Sequence, residues 1–421
     1  MKVRVPAMLL AGMAATVFGA PAQAQQRRLT VATHYTEEQL APVTACFRQY
    51  EQQNPGLRIV HQQSAIADYL KSVMTARIGG TSPDIYNVYS LWSAQLADAG
   101  VLAQPPAAVQ SFIEQDYLPS TLDTVRVRGQ SWGIPSEIST YMLVYNRKLL
   151  AQAGYDHPPA TWAEVAEIAG KIARVNAQGN LTTVGYAFGP TVSNGVHPFE
   201  ALLYSAGVSP FKPDLSGTNL TSPQAVALLE AQARMFAAKA TGDALQVRDF
   251  PSGTVGMMIT ANWFKKTLSD GLGAAMADTV GVAPIPAGPN WRTLQYGFFW
   301  SVDARSRNGI EAWKLLTWLN TPQSPGARSC VGEMLVRLGG LTGNKADIAA
   351  SGTEYGDAFT RPYVEAISSG RAVSDPNMPY ATEVQAILRD QIGRAWSGAL
   401  PAAEALTRAD REITRVLTEA R

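Results

Sequence analysis

Past the ends of its β-forming runs, this 421-residue chain repeatedly sets an aromatic ring beside a polar group. His34, Tyr35, Thr36 and Glu37 follow the run 29–33, and Tyr89 and Trp92 follow the run 85–89. A sugar offers hydroxyls to hydrogen-bonding side chains and flat C–H faces to rings, so Tyr and Trp interleaved with neutral polar groups suit a carbohydrate. A structural reading competes for each residue, because an aromatic side chain beside a strand is often core or rim. Glu37 and Arg361 suit solvated surface as well as a polar contact.

Residue types that would do covalent or metal chemistry are poorly arranged. The four histidines, His34, His61, His157 and His197, have no spacing suited to a metal site. Gly271-Leu272-Gly273 follows a helical stretch instead of a strand and lacks the third glycine of a dinucleotide loop, so it reads as a turn. No metal and no cofactor is expected. Paired carboxylates in a cleft, as in glycosidases, depend on distances, so a secreted carbohydrate-active enzyme is the competing class. Cys46 lies with Val43, Phe47 and Tyr50 on an apolar helix face, where a buried free thiol is ordinary. An oxidising compartment would equally allow it to pair with Cys330, and geometry decides between the two.

The elements that must position these groups alternate. After the run 29–33, Thr36-Glu37-Glu38-Gln39 is a capping box that opens a helix to about residue 53, stopped by Asn54-Pro55-Gly56. A strand at 57–61 and a helix carrying Ile66, Tyr69, Leu70, Val73 and Met74, ended by Gly79-Gly80, lead to a third strand at 85–89. Strand, helix, strand, helix, strand is the pattern of a parallel sheet, in which ligands sit beyond the carboxyl ends of the strands. Further on, the pattern predicts strands at 141–145, 255–260 and 280–284. It predicts helices at 161–175, from Ser222-Pro223 onward, at 383–396 and at 402–420. The stretch 284–289, rich in proline and glycine, reads as a connection.

Composition sets the frame. Lys2 and Arg4 precede an uncharged stretch, 5–20, broken by Pro6, Gly12, Gly19 and Pro21 and followed by Ala22-Gln23-Ala24. Small residues at those positions mark a secretory leader, residues 1–24, cleaved after Ala24 to leave a periplasmic chain. The remainder is longer than one core usually serves, so two domains are expected. With 46% hydrophobic and 16% charged residues and a formal net charge of +1, the chain is neither disordered nor built for nucleic acid or an anionic membrane.

One segment is specific. Gly133-Ile134-Pro135, then Tyr141-Met142-Leu143-Val144-Tyr145-Asn146-Arg147-Lys148, then Ala153-Gly154, Pro159 and Thr161-Trp162 resembles the signature of family 1 extracellular solute-binding proteins of the maltose-binding type. Ser82-Pro83-Asp84-Ile85, the stretch 250–263 with Gly253, Gly256, Met257 and Met258, Pro284-Ile285-Pro286 and Ala312-Trp313-Lys314 follow in the family's order. The resemblance implies an α/β, two-lobed periplasmic-binding-protein fold of type II. Each lobe would be a mostly parallel sheet flanked by helices, with the ligand in the cleft between them. It implies a first lobe at 25–134 plus about 294–343, and a second at 135–293 plus about 344–421. The function implied is delivery of a small solute, a sugar by the residue chemistry above, to the membrane permease of an ABC importer by a monomeric receptor. Glycerol phosphate, polyamines or other small solutes are alternatives within the family.

The resemblance also proposes contacts. Trp263 falls at a sugar-stacking tryptophan position, Ser139 and Tyr141 on the crossing segment, and His197 where relatives often carry an aromatic residue. Tyr296 and Phe298 in a second crossing segment, and Tyr380, complete a set begun by Tyr35, Thr36, Tyr89 and Trp92.

Overall fold

The computed structural model describes residue 1 and residues 27–286 and 290–419. The cleavage pattern at Ala22-Gln23-Ala24 and the end of the proline- and glycine-rich connection lie outside the described residues.

Three strands, β1 (Arg27–Thr33), β2 (Leu57–Gln63) and β3 (Ile85–Tyr89), form the parallel start that the alternating pattern predicts, with β1 between the other two. The helices between them, Glu37–Gln53 and Ile66–Gly79, begin and end as their caps dictate. Thr36 and Gln39 make the reciprocal capping box, and Gly80 closes the second helix in a left-handed conformation. A short hairpin, β4 (Arg126–Val127) and β5 (Gln130–Ser131), then leads into β6 (Ile134–Asn146), a strand of 13 residues. The strands β7 (Arg174–Val175), β8 (Leu181–Tyr186), β9 (Val255–Ala261), β10 (Val280–Ala283), β11 (Thr293–Val302), β12 (Leu341–Thr342) and β13 (Ala372–Ser374) complete the curled mixed sheet.

Two long strands join the halves of that sheet. The end of β11 pairs antiparallel with β3, from Phe298 opposite Tyr89 to Val302 opposite Ile85. The end of β6 pairs antiparallel with β9, from Tyr141 opposite Ala261 to Tyr145 opposite Met257. Between those ends β6 and β11 pair with each other, Thr140 with Gln295 and Ile134 with Trp300. Two glycines allow the close approach. A Cβ at Gly133 would lie 2.3 Å from the Trp300 carbonyl oxygen, and one at Gly297 would lie 2.7 Å from the Glu137 oxygen. Side chains pin the pair as well: Thr140 Oγ1 donates to the Leu294 carbonyl at 2.9 Å, and Thr293 Oγ1 to that of Tyr141 at 2.7 Å.

Separate cores flank the crossing. Leu29, Val31, Phe47, Ile85, Ile134, Trp300, Trp313 and Leu335 share one core, so Trp313 is a packing residue. Tyr141, Leu143, Trp162, Tyr186, Met257 and Ile259 share another. A helical layer of Pro223–Ala237, Ala381–Trp396 and Ala402–Glu419 packs on the second half. Asp84 is a staple: its carboxylate accepts from Thr30 N, Thr30 Oγ1, Ser306 Oγ and Asn308 Nδ2.

The structure shows where three element boundaries differ from the sequence pattern. The strand at 141–145 is only the end of β6, because Ser136, Glu137, Ser139 and Thr140 read as polar yet lie in a stretch paired with β11 along one edge and, at Glu137 and Ile138, with β12 along the other. The helix from Thr161 stops at Ile172, and Arg174–Val175 turns into an edge strand. The turn at Gly271-Leu272-Gly273 starts inside the helix Lys265–Leu272, and Gly273 has positive φ.

Cys46 and Cys330 are bonded, with their Cα atoms 6.3 Å apart, which replaces the free-thiol alternative. The bridge fastens the helix Glu37–Gln53 to the helix Cys330–Leu338 across 284 residues of chain. A loop that long restricts the unfolded chain strongly, so the Cys46→Ser, Cys330→Ser double variant should lose about 2–4 kcal/mol of unfolding free energy in a urea titration. An unchanged midpoint would show that the bridge contributes nothing.

Candidate functional site

The crossing strands carry the centre of the site. Side chains alternate along a strand, so Glu137, Ser139 and Tyr141 of β6 share one face, and Tyr296 and Phe298 of β11 share that same face. Register sets Ser139 opposite Tyr296. The rings meet those contributed by the carboxyl ends of other strands.

From the first half, His34 after β1 stacks on Phe298 with centroids 4.4 Å apart, and Tyr89 at the end of β3 stacks on Phe298 at 5.0 Å. Trp92 stands edge-on to Tyr89 at 5.3 Å and stacks on Tyr69. Tyr89 in turn meets Tyr296 edge-on at 5.4 Å. From the second half, His197 lies 5.0 Å from Tyr296, and the Tyr141 hydroxyl donates to the Ser193 carbonyl and meets His197 Nδ1, both at 3.0 Å. Trp263, just past β9, donates its Nε1 hydrogen to the Tyr296 hydroxyl at 2.8 Å. Tyr296 is therefore the meeting point of rings from both halves.

Two candidates fall elsewhere. Thr36 is exposed and spends its hydroxyl accepting from Gln39 N at the head of a helix. Tyr380 is half exposed, with positive φ, at the start of the helix Ala381–Trp396. Tyr35 is buried, and its hydroxyl donates to Glu137 Oε2 at 2.7 Å instead of facing an open cleft.

The groups missed by sequence reasoning are carboxylates and amides. Burial raises the Glu137 carboxyl above its ordinary range, with the Tyr35 hydroxyl opposing. Glu200, one turn along from His197, is fully buried and pushed well up by burial and by the neighbouring Asp375. Burial raises Asp375 to about 6 against the Tyr204 hydroxyl, which donates to it at 2.6 Å. Gln385 Nε2 donates to Glu200 Oε1 at 2.9 Å. The sequence did carry a signal for two of them. Glu137 continues the alternation of Ser139 and Tyr141, and Glu200 is a lone charge in the apolar helix His197–Ser205. Burial also pulls His34 down to about 4 and His197 to about 3, so both imidazoles are neutral at pH 7.

A cavity of about 20 Å³ lies beside Tyr296, His197, Gln295 and Asp375, room for about one water. A wider pocket of about 440 Å³ opens elsewhere, among Phe188, Phe236, Arg389 and Trp396, and carries none of the candidate residues. Gly129-Gln130-Ser131-Trp132-Gly133 spells the hydrolase elbow pattern, which the reading of the sequence wrongly took to be absent. It sits on the β4–β5 hairpin, not on the sharp strand-to-helix turn that makes such a serine nucleophilic. Among the described residues no group of three or more His, Cys, Asp or Glu could hold a metal ion.

The pattern of bacterial extracellular solute-binding proteins matches residues 35–324, a stretch that contains both crossing strands and most of the rings above. The chain belongs to that family. A protein of Brucella abortus (strain 2308), named as a binding protein, is 29% identical over 330 residues, covering 74% of this chain and 76% of that one. Two solved structures share the fold. The GacH receptor of Streptomyces glaucescens, described unliganded and with acarbose, matches with a TM-score of 0.75 at 20% identity over 94% of this chain and 100% of that one. An ABC transporter solute-binding protein of Thermotoga lettingae bound with alpha-D-tagatose matches with a TM-score of 0.76 at 20% identity over 93% and 100%. The buried carboxyls near the ring cluster bear on the stability of the fold.

For Asp375 the sign is fixed by the direction of its shift. Its folded value is raised from the ordinary 3.8 to about 6, so its stabilising contribution is complete below the lower value and lost as pH rises through the upper. Asp375→Asn should therefore gain in melting temperature relative to the unaltered protein as pH rises from about 4 to about 7. A difference that stays flat across that range would place the carboxyl in a less buried setting.

Proposed function

We propose that this family member is the receptor of an ABC importer, that its solute is a carbohydrate, and that the solute is held between the two halves at the ring cluster. The observation that carries the reading is the junction at Tyr296. There Trp263, Tyr141 and His197 from one half meet Tyr89 and Phe298 from the other. Ring faces interleaved with neutral histidines, serine and amides are what sugar hydroxyls and C–H faces require. The solved relatives bound to acarbose and to tagatose support it, as does the shared fold.

The lobes in this reading are 25–134 with about 294–343, and 135–293 with about 344–421, exported as a monomer to the periplasm. The rings now touch one another. A solute must therefore part them, and the crossing strands β6 and β11 are the segments about which the halves rotate. Closure is driven by contacts that the solute makes to both halves only when they meet. The membrane permease would read the closed form. A phosphate-bearing solute fits less well, because phosphate calls for Arg, Lys or a helix N-terminus, and the ring cluster carries carboxyls instead.

A thermal-shift screen of the purified protein against sugars, glycerol phosphates and amino acids tests the reading. A solute at a hundredfold excess over its dissociation constant adds about 2.7 kcal/mol to stability. A sugar should raise the melting temperature, and Trp263→Ala should abolish the shift. A response confined to phosphates would sink the carbohydrate assignment.

A further inference from the structure

The crossing strands have a second face, turned away from the rings. Gly297 lies between Tyr296 and Phe298 on β11 and so points the other way, where a Cβ would meet Ile138 Cδ1 at 3.1 Å and Thr124 Cβ at 3.4 Å. Thr124 belongs to the short helical stretch Pro119–Val125, which therefore packs behind the site. That stretch is part of the first half: Leu122 shares the core of Leu29, Ile85 and Trp313, and Val125 that of Tyr69 and Tyr86. Hydrogen bonds tie it to the second half. Ser120 Oγ donates to the Ile367 carbonyl at 3.0 Å, and Ile367 shares a core with Val184 and Met258. Asn377 Nδ2 donates to the carbonyls of Asp123 at 2.9 Å and of Arg126 at 2.6 Å, and Met378 beside it is buried in the helical layer.

Position decides what those bonds do. The pair β6–β11 lies between the rings on one side and the stretch bonded to Ile367 and Asn377 on the other. A rotation about that pair which brings the ring-bearing sides of the halves together draws the segments behind it apart. Hydrogen bonds weaken steeply as they lengthen and bend, so a small rotation breaks them. Their loss is a cost that the closed arrangement carries and the open one does not. Solute contacts in front and these bonds behind therefore act on one equilibrium with opposite sign, and the apparent affinity follows the fraction of molecules able to close.

We propose that the bonds of Ser120 and Asn377 are a tether behind the crossing strands that opposes closure and so sets the solute affinity from outside the site. Both are positioning residues, and neither belongs to the ring cluster. Asn377 borders the small cavity beside Tyr296 and Ser120 does not, so the two act as independent probes of the same tether. The inference rests on the closing motion described above and applies to any solute that closes the halves.

The distance between spin labels on Glu38→Cys and Lys266→Cys, measured by electron paramagnetic resonance, tests it. Both positions are exposed, one in the first turn of the helix Glu37–Gln53 and the other just past Trp263, and the Glu38 charge bears on the Lys266 ammonium between the halves. Cys46 and Cys330 are already paired and take no label. With no sugar added, Asn377→Asp, which keeps the size and removes the donors, should raise the short-distance population. Ser120→Ala should do the same, each variant being checked for folding by circular dichroism. In calorimetry with maltose, D-glucose and D-tagatose, a sugar that binds the unaltered protein should bind the variants about three- to tenfold tighter. A residue that served only the fold would leave that affinity unchanged or lower it. A sugar that shortens the distance in the unaltered protein, while both sugar-free variants match the sugar-free parent, overturns the tether and leaves the closing motion standing. A longer distance or weaker binding in the variants overturns the tether as well. Variants that shift while no sugar binds keep the tether and remove the carbohydrate reading. A distance that neither sugar nor variant moves removes the closing motion and the tether with it.

Discussion

Everything else in this structure depends on the pairing of β6 with β11. The two strands are the only long segments that enter both halves of the sheet among the described residues, and they bring the site's side chains with them. Because side chains alternate along a strand, a one-residue slip in that pairing would turn Glu137, Ser139, Tyr141, Tyr296 and Phe298 away from one another. Gly133 and Gly297 prevent the slip from the inside, since each sits where a side chain would strike the opposing backbone. The asparagine after β9 works with them: Asn262 accepts from Thr140 N at 3.0 Å, fixing the loop that carries Trp263 to the crossing.

That arrangement leaves the two halves differently furnished. The first half is tied by the Cys46–Cys330 bridge and by Asp84, which collects four hydrogen bonds between β1, β3 and the segment after β11. The second half has no disulfide. It holds Glu200 and Asp375 in a buried setting that raises both carboxyls. A first half tied by a disulfide, a second half with buried carboxyls, and a strand pair between them are what the proposed clamp would use.

Much of this was legible in the sequence. The caps at Thr36 and Thr161, the breakers at Asn54-Pro55-Gly56 and Gly79-Gly80, and the β-rich runs before them place the opening parallel strands and their helices within a few residues of where they lie. Local chemistry decides those elements, so local reading finds them. The first half of β6 was not legible, because its Pro135 and Ser136 are buried, and Glu137 partly so, by partners from the far end of the chain. The ring residues Tyr89, Tyr141, His197, Trp263, Tyr296 and Phe298 do converge; an aromatic residue past a strand end named Tyr89, and the family resemblance named the others. Thr36 was named by its place after a strand and Tyr380 with the resemblance, yet one caps a helix and the other is half exposed. Glu200, Gln385 and Asp375 escaped notice because nothing near them in sequence shows that helices some 180 residues apart bury them together.

The central claim is that solute is held by two halves that close about β6 and β11, and its most direct test is small-angle X-ray scattering of the protein with and without a solute whose binding has been established by calorimetry. The account predicts that the radius of gyration falls when the solute is added, as an open ensemble closes with the solute held between the rings of Trp263, Tyr296 and Tyr89. A solute that binds with measurable heat and leaves the scattering curve unchanged would contradict it.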